Sequence, residues 1–327
     1  MDTTRPAVGA LALAAQQAGL LRGALASGFL THVGDGVGVA ELAEVTGLDP
    51  DRVRAVGVAL VGTGVLESDA PDRYRLSGSG SALLGDDRGA QYANQLRNAA
   101  VRERLFEQVF TPEGPDRFAD LSDDDRAAIA AGSSLVASSA TARTSLAESI
   151  EQAPVFAEAL AAAGDVRGLE LGCGVGGHVL TLLQMYPRLT AVAVDTAADL
   201  LEKASAEAAA VGVADRIRFV AEDAVVFTDP EPFDLIFWSQ LFFPAASRAK
   251  TLANAYRLLR PGGLLVMPVR PDVAAGNPAA ALGALLLTAW DVPPVTADEL
   301  CAELADAGFA SPTGYGPLRT TVVAHRL

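Results

Sequence analysis

The chain has 327 residues, half of them hydrophobic, with 40 Asp and Glu against 25 Lys and Arg for a formal charge of −15. That length passes the size at which single cores tend to split, so two domains are expected. The negative field repels phosphate backbones and anionic lipid heads, which argues against nucleic acid or a membrane as the main partner.

The chain opens Met1-Asp2-Thr3-Thr4-Arg5-Pro6, without the charged-then-apolar layout of a signal peptide. No uninterrupted apolar run is long enough to span a bilayer, so a soluble cytoplasmic protein is expected. Residues 7–25 form a predicted helix that is apolar almost all round (Leu11, Leu13, Leu20, Leu21, Leu25), and such a helix needs burial by something besides its own domain. Predicted helices over 39–48 and 51–63, then an extended segment from Gly64 that turns at 69–72 into Tyr74-Arg75-Leu76, give a winged-helix pattern. A DNA-binding reading fails on chemistry: after Arg52 and Arg54 the would-be recognition helix offers only Ala55 to Val61 to a base edge, and residues 1–90 carry seven Arg, no Lys and eleven acids.

Residues 91–110 read as one helix, Thr111-Pro112-Glu113-Gly114-Pro115 breaks it, and Ser122 caps a helix with Asp123, Asp124 and Asp125 in its first turn. Tyr92, Asn94, Gln95 and Arg97 either face a pocket or form a solvated helix face. An apolar run from Val166 then feeds a glycine-rich turn that opens a helix at His178. Gly172, Gly174 and Gly176 keep Cβ atoms away, so the backbone turns tightly and approaches a ligand beside free helix N–H groups. A second strand, 191–194, ends on Asp195; a third, 217–220, leads to Glu222-Asp223-Ala224; a fourth, 233–238, ends in Ser239-Gln240. A helix over 249–259, a fifth strand over 264–269, an insertion over 271–294 containing Trp290, a Thr296-capped helix to about Ala307 and a final strand over 320–325 complete the chain.

The stretches Glu170-Leu171-Gly172-Cys173-Gly174-Val175-Gly176-Gly177, Val194-Asp195, Glu222-Asp223-Ala224, Phe233-Asp234-Leu235-Ile236 and Leu259-Arg260-Pro261-Gly262-Gly263 resemble, in order and spacing, the motifs of class I S-adenosylmethionine (SAM) dependent methyltransferases. A nicotinamide enzyme is the rival reading of the glycine loop alone, but lacks the Asp223 equivalent followed by an Arg-Pro-Gly-Gly turn. The resemblance implies an α/β, Rossmann-like domain with a seven-stranded sheet, the last strand antiparallel and inserted beside the fifth, and SAM as cofactor. It implies that the Gly172–Gly176 loop lies under the methionine part, that Asp195 holds the ribose and that Asp223 accepts from the adenine amino group. The full expected cofactor-binding set is Glu170, Gly172, Cys173, Gly174, Gly176, Asp195, Thr196, Asp223, Ala224, Trp238 and Ser239.

Residues 1–90 resemble the amino-terminal winged-helix dimerisation domain of small-molecule methyltransferases of the plant-phenol and antibiotic-tailoring type. This implies a homodimer, a helical connector over 91–155 that walls part of the substrate pocket, and a SAM-binding catalytic domain over 156–327. In oxygen-methylating relatives a histidine just after the fourth strand takes the acceptor's proton, and the matching position here falls on or beside Phe242. A positioned base contributes about 10²–10⁴ in rate, whereas in-line positioning contributes on the order of 7–11 kcal/mol. Methyl transfer therefore survives without the base, and carbon methylation of a small, largely apolar natural-product-like molecule is favoured over oxygen.

Gln240 and His32, the latter reaching from a partner subunit, are the candidate catalytic side chains, while His178 reads as structural and His325 as a surface residue. Tyr92, Gln95, Phe242, Phe243 and Trp290 are the candidate pocket residues. Cys173 and Cys301 show no metal-ligand spacing, the three histidines are far apart, and no metal is expected. Two alternatives keep parts of this reading: a SAM-binding enzyme that promotes decarboxylation, hydroxylation or a pericyclic step, and a non-catalytic ligand-binding protein.

Overall fold

In the computed structural model, which describes residues 4–85, 87–161, 164–270, 278–292 and 294–327, the chain forms two units, Met1–Ala100 and Val101–Leu327. The division falls within one helix, Gly89–Gln108. In the first unit, helix Thr4–Ala26 is followed by the short helix Phe29–Val33, strand β1 (Val37–Gly38) and helix Val39–Thr46. Asp49 then accepts from the N–H of Asp51 at 2.9 Å and caps helix Pro50–Gly62, with proline at its first position where no N–H is needed. Strands β2 (Leu66–Ala70) and β3 (Arg73–Leu76) form an antiparallel hairpin, and β1 joins it in the order β1-β3-β2. Leu30, Leu42, Val53, Leu60, Leu66 and Tyr74 are the centre of this unit's core. Residues 8–13 of helix Thr4–Ala26 lie outside that core, with Val8, Leu11 and Leu13 exposed by 61, 72 and 54%.

The second unit is built on β4 (Val166–Leu171), β5 (Leu189–Asp195), β6 (Ile217–Ala221), β7 (Phe233–Trp238), β8 (Leu259–Pro268), β9 (Ala310–Tyr315) and β10 (Thr321–His325). They form one seven-stranded sheet in the order β6-β5-β4-β7-β8-β10-β9, with β10 antiparallel to both neighbours, as the resemblance implies. The apolar runs are continuous because both faces are covered. Alternate residues enter different cores: Ala191 and Ala193 of β5 and Leu264 and Val266 of β8 pack with Leu180 and Leu183, while Val192, Val194, Leu265 and Met267 pack with Leu252 and Leu300.

β4 is the strand at which the chain changes direction across the sheet, with β5 on one side and β7 on the other. In an open sheet of this kind the crevice beyond the carboxyl ends of those strands is where ligands bind. Helix Gly177–Met185 returns from β4, and residues Ser134 and Leu135 lie directly on its first turn. A Cβ on Gly177 would come within 2.1 Å of the Leu135 carbonyl oxygen and 2.3 Å of Ser134 Oγ. Gly177→Ala is therefore expected to destabilise the fold by about 1–3 kcal/mol, the usual cost of forcing backbone apart. Urea unfolding of the two proteins measures this, and equal midpoints would show that the 134–135 segment does not bear on this helix.

Candidate active site

Four strands deliver their ends to one place because they pair in register. Leu171 of β4 stands opposite Val194 of β5 and Trp238 of β7, and Asp195 stands opposite Ala221 of β6. The residues that follow, Gly172, Thr196, Glu222 and Ser239, all line one cavity of about 530 Å³. The floor is the glycine turn, where Gly172, Gly174 and Gly176 have φ of 71°, 54° and 74°, a region that side chains other than glycine rarely adopt. Gly172 also lies against the Phe243 ring, which a Cβ would approach to 2.5 Å, whereas a Cβ on Gly174 would meet nothing nearer than Ala130 Cβ at 3.8 Å. The backbone at Gly174 thus faces open space in the cavity.

Asp195 ties the second strand to this turn. One carboxylate oxygen accepts from the Gly174 N–H at 2.8 Å, and the other accepts from the Ala197 N–H at 2.9 Å. Burial pushes its carboxyl above the usual range, with these backbone donors opposing the rise. Glu170, one residue before the end of β4, is 4% exposed, and among the described residues its Oε2 has no hydrogen-bond partner. His178 Nδ1, which likewise has none among those residues, stands 3.5 Å from that oxygen, and the imidazole is stacked on Phe237 with ring centroids 3.6 Å apart. Asp223 accepts from the Val225 N–H at 2.8 Å and is otherwise exposed at the cavity edge. Burial raises the Cys173 thiol well above its ordinary value, helped by the nearby Glu170 and Asp195 charges, so it lines the cavity as an unionised group.

The opposite wall is apolar and comes from two directions. Leu241, Phe242, Phe243 and Pro244 follow β7, and Phe118, Ala130 and Leu135 come from the helical segment before β4. Phe118 packs at 5.8 Å from Phe242 and edge-on to Trp290 at 6.2 Å.

Of the expected residues, Glu170, Gly172, Cys173, Gly174, Asp195, Thr196, Asp223, Ala224, Ser239, Phe242 and Phe243 line the cavity. Gly176 shapes the turn from behind, against Leu180 and Ala204. Trp238 is fully buried and edge-on to Phe243 at 5.2 Å, so it braces the wall rather than forming it. Trp290 is likewise buried behind Phe118, with its indole N–H donating to the Asp116 carbonyl at 2.8 Å. Gln240 is 2% exposed and is not among the lining residues. Tyr92, Gln95 and His32 belong to the first unit and are exposed there. Sequence reasoning missed Phe118, Ser133, Ser134 and Leu135, and it set His178 aside although that side chain reaches the cavity.

Residues 169–263 match the family model of a methyltransferase domain. Over 104 residues the chain is 38% identical to the release factor glutamine methyltransferase of Chlorobaculum tepidum, a stretch that is 31% of this chain and 35% of that relative. The chain thus matches about a third of that curated relative's length. An O-methyltransferase family protein from Burkholderia thailandensis superposes with a TM-score of 0.72 at 19% identity, covering 100% of this chain and 99% of that one. CalO1, a methyltransferase in calicheamicin biosynthesis solved with S-adenosylhomocysteine (SAH) bound, superposes with a TM-score of 0.59 at 24% identity, both chains fully covered.

The fold is the one these solved methyltransferases share. The second unit carries the residues that match a methyltransferase domain, and CalO1, which shares the fold, binds SAH, the demethylated product of SAM. The residues present fit that group: a buried carboxylate oxygen at Glu170 that has no partner among the described residues, an open glycine cradle at Gly174, and a carboxylate at the end of the second strand.

Asp195→Ala is expected to weaken SAH binding by roughly tenfold to a hundredfold, the equivalent of about 1.5–3 kcal/mol for a hydrogen bond to a charged group, as read by calorimetry. Because burial holds the Asp195 carboxyl above its ordinary value, wild-type affinity should begin to fall with decreasing pH earlier than an unperturbed aspartate would dictate. Asp195→Asn should remove that pH dependence, and an unchanged profile would refute the assignment.

Proposed function

We propose that this protein is a SAM-dependent methyltransferase acting on a small, largely apolar molecule of the natural-product type, with carbon methylation preferred to oxygen. The observation that carries the reading is the pairing, in one cavity, of four polar strand ends in register with a wall of Phe118, Leu241, Phe242 and Phe243. The likeness to a methyltransferase of calicheamicin biosynthesis supports the natural-product class.

On this reading Glu170 accepts from the ammonium of the cofactor's methionine part, the backbone at Gly172 and Gly174 lies beneath that part, Asp195 accepts from the ribose hydroxyls, and Asp223 accepts from the adenine amino group. The bound cofactor supplies an electrophilic methyl group on a sulfonium. The chain's own contribution is positioning and exclusion of water: the aromatic wall holds a flat apolar acceptor, and in-line placement contributes more than any one proton acceptor. By the resemblance, the histidine of oxygen-methylating relatives falls on or beside Phe242, so the acceptor on this reading needs little help in losing its proton. An enol, an electron-rich aromatic or indole carbon, or an acidic hydroxyl meets that requirement. His178, stacked on Phe237 with Nδ1 toward Glu170, serves as a positioning residue for the Glu170 carboxylate.

Incubation with methyl-labelled SAM and a panel of small phenols, indoles and enols, followed by mass spectrometry, tests the proposal. Label is expected in a product, mainly on carbon. Consumption of an acceptor without label would favour a non-methylating reaction, and no turnover together with no SAH binding would leave only a ligand-binding role. His178→Gln is expected to lower turnover less than tenfold without moving its pH profile; a loss of about 10²–10⁴ would instead mark it as the base.

The exposed Val8, Leu11 and Leu13 of helix Thr4–Ala26 support a second proposal, that a winged-helix unit over residues 1–90 joins two copies of the chain and that His32 of one copy approaches the other's pocket. Light scattering at micromolar concentration should give twice the 33.6 kDa mass of one chain. A monomer would remove both the dimer and the role of His32.

A further inference from the structure

Among the described residues, two arginines of the second unit stand together without an acid between them. Arg102, on helix Gly89–Gln108, and Arg270, two residues past the end of β8, flank Gly283 of helix Pro278–Ala289. Arg270 Nη1 lies 2.6 Å, and Arg102 Nη2 3.6 Å, from where a Cβ on Gly283 would be, so the absence of that side chain makes room for both guanidiniums. Among the described residues neither has a carboxylate partner within ion-pair distance, in a chain with fifteen more acids than bases. Burial holds both below the ordinary arginine value, and the Arg102 charge pushes Arg270 further down. Two like charges withdrawn from water and set side by side are unfavourable unless something negative joins them.

The pair adjoins the cavity already described. Arg102 lies over the Phe106 ring, 5.7 Å from its centroid, and Phe106 packs in one cluster with Phe118 and Phe242, both of which line that cavity. Arg270 follows cavity-lining Pro268 by two residues, and the intervening Val269 is fixed by its N–H donating to the Thr320 carbonyl at 2.7 Å. Two planar forks converging on one point suit an oxyanion, each fork offering parallel N–H donors to carboxylate or phosphate oxygens.

We propose that Arg102 and Arg270 form an oxyanion site at Gly283, which takes either a carboxylate or phosphate borne by the methyl acceptor or a free small anion of the same chemistry. The acceptor arm rests on the methyl-transfer reading above; the site itself does not. An acidic group held there anchors one end of an otherwise apolar molecule against the aromatic wall and neutralises a local charge that would repel the cofactor's sulfonium.

The test follows the melting temperature of the full chain at fixed ionic strength, replacing chloride by inorganic phosphate or by benzoate, with and without saturating SAH. Wild type should gain several degrees with at least one of them. Arg102→Gln and Arg270→Gln should each lose at least half of that gain while keeping wild-type affinity for SAH, and Arg52→Gln, at an exposed arginine of the first unit, should keep the gain in full. A gain with benzoate that requires SAH assigns the site to the acceptor, whereas a gain with phosphate that ignores SAH assigns it to a free anion. Unmodified protein gives a second readout: phenylglyoxal labelling of Arg102 and Arg270, followed by peptide mass spectrometry, should fall about tenfold in the effective anion. No anion-dependent gain in wild type, equal gains in both glutamine variants, or labelling that the anions leave unchanged would overturn the proposal.

Discussion

At Gly172 the chain leaves β4 with a φ of 71°, and two further left-handed glycines follow within four residues. Everything in the site depends on that turn staying open. It brings the start of helix Gly177–Met185 directly behind the strand end, and it puts the Gly174 N–H within 2.8 Å of Asp195, so the first and second strands share one hydrogen-bonded corner. A side chain at Gly172 would meet the Phe243 ring at 2.5 Å, so the same position also sets how close the aromatic wall stands to the floor. One conformational requirement therefore fixes the polar floor, the carboxylate beside it and the apolar roof.

The division of labour in the cavity follows from where its residues come from. Polar groups sit at strand ends, whose positions are dictated by sheet register and cannot drift independently. The apolar wall comes from the residues after β7 and from the segment that supplies Phe118, Ala130 and Leu135, braced from behind by Trp238 and Trp290. Such a wall can change its lining without disturbing the floor. The segment that matches a methyltransferase domain, residues 169–263, holds the floor and the residues after β7 but not Phe118, Ala130 or Leu135.

The floor was legible in the sequence because its signals are local: glycines that need positive φ, apolar runs buried on both faces, and carboxylates at the ends of those runs. The wall was not. Phe118 and Leu135 lie far from the glycine loop along the chain, and nothing in their own neighbourhoods marks them as partners of Phe242. Strand β9 went unnamed because Ala-Ser-Pro-Thr-Gly-Tyr carries a proline and a glycine, which an edge strand tolerates and a central one does not. His178 was discounted as a helix residue, although its place in the first turn beyond the glycine loop was itself the clue that it faces the cavity. Gln240 shows the reverse error in reasoning: it ends the fourth strand's run as a polar group, yet the 3-10 turn Gln240–Phe242 turns it inward and leaves Leu241 and Phe242 at the surface of the cavity.

A crystal structure of the full chain grown with SAH tests the central claim, that four strand ends in register form one adenosyl site, most directly. The account predicts the ligand in the cavity beside Gly174, its amine at Glu170, its ribose at Asp195 and its adenine at Asp223. Ligand bound elsewhere on the chain, or in this cavity with Asp195 making no contact to it, would contradict the account.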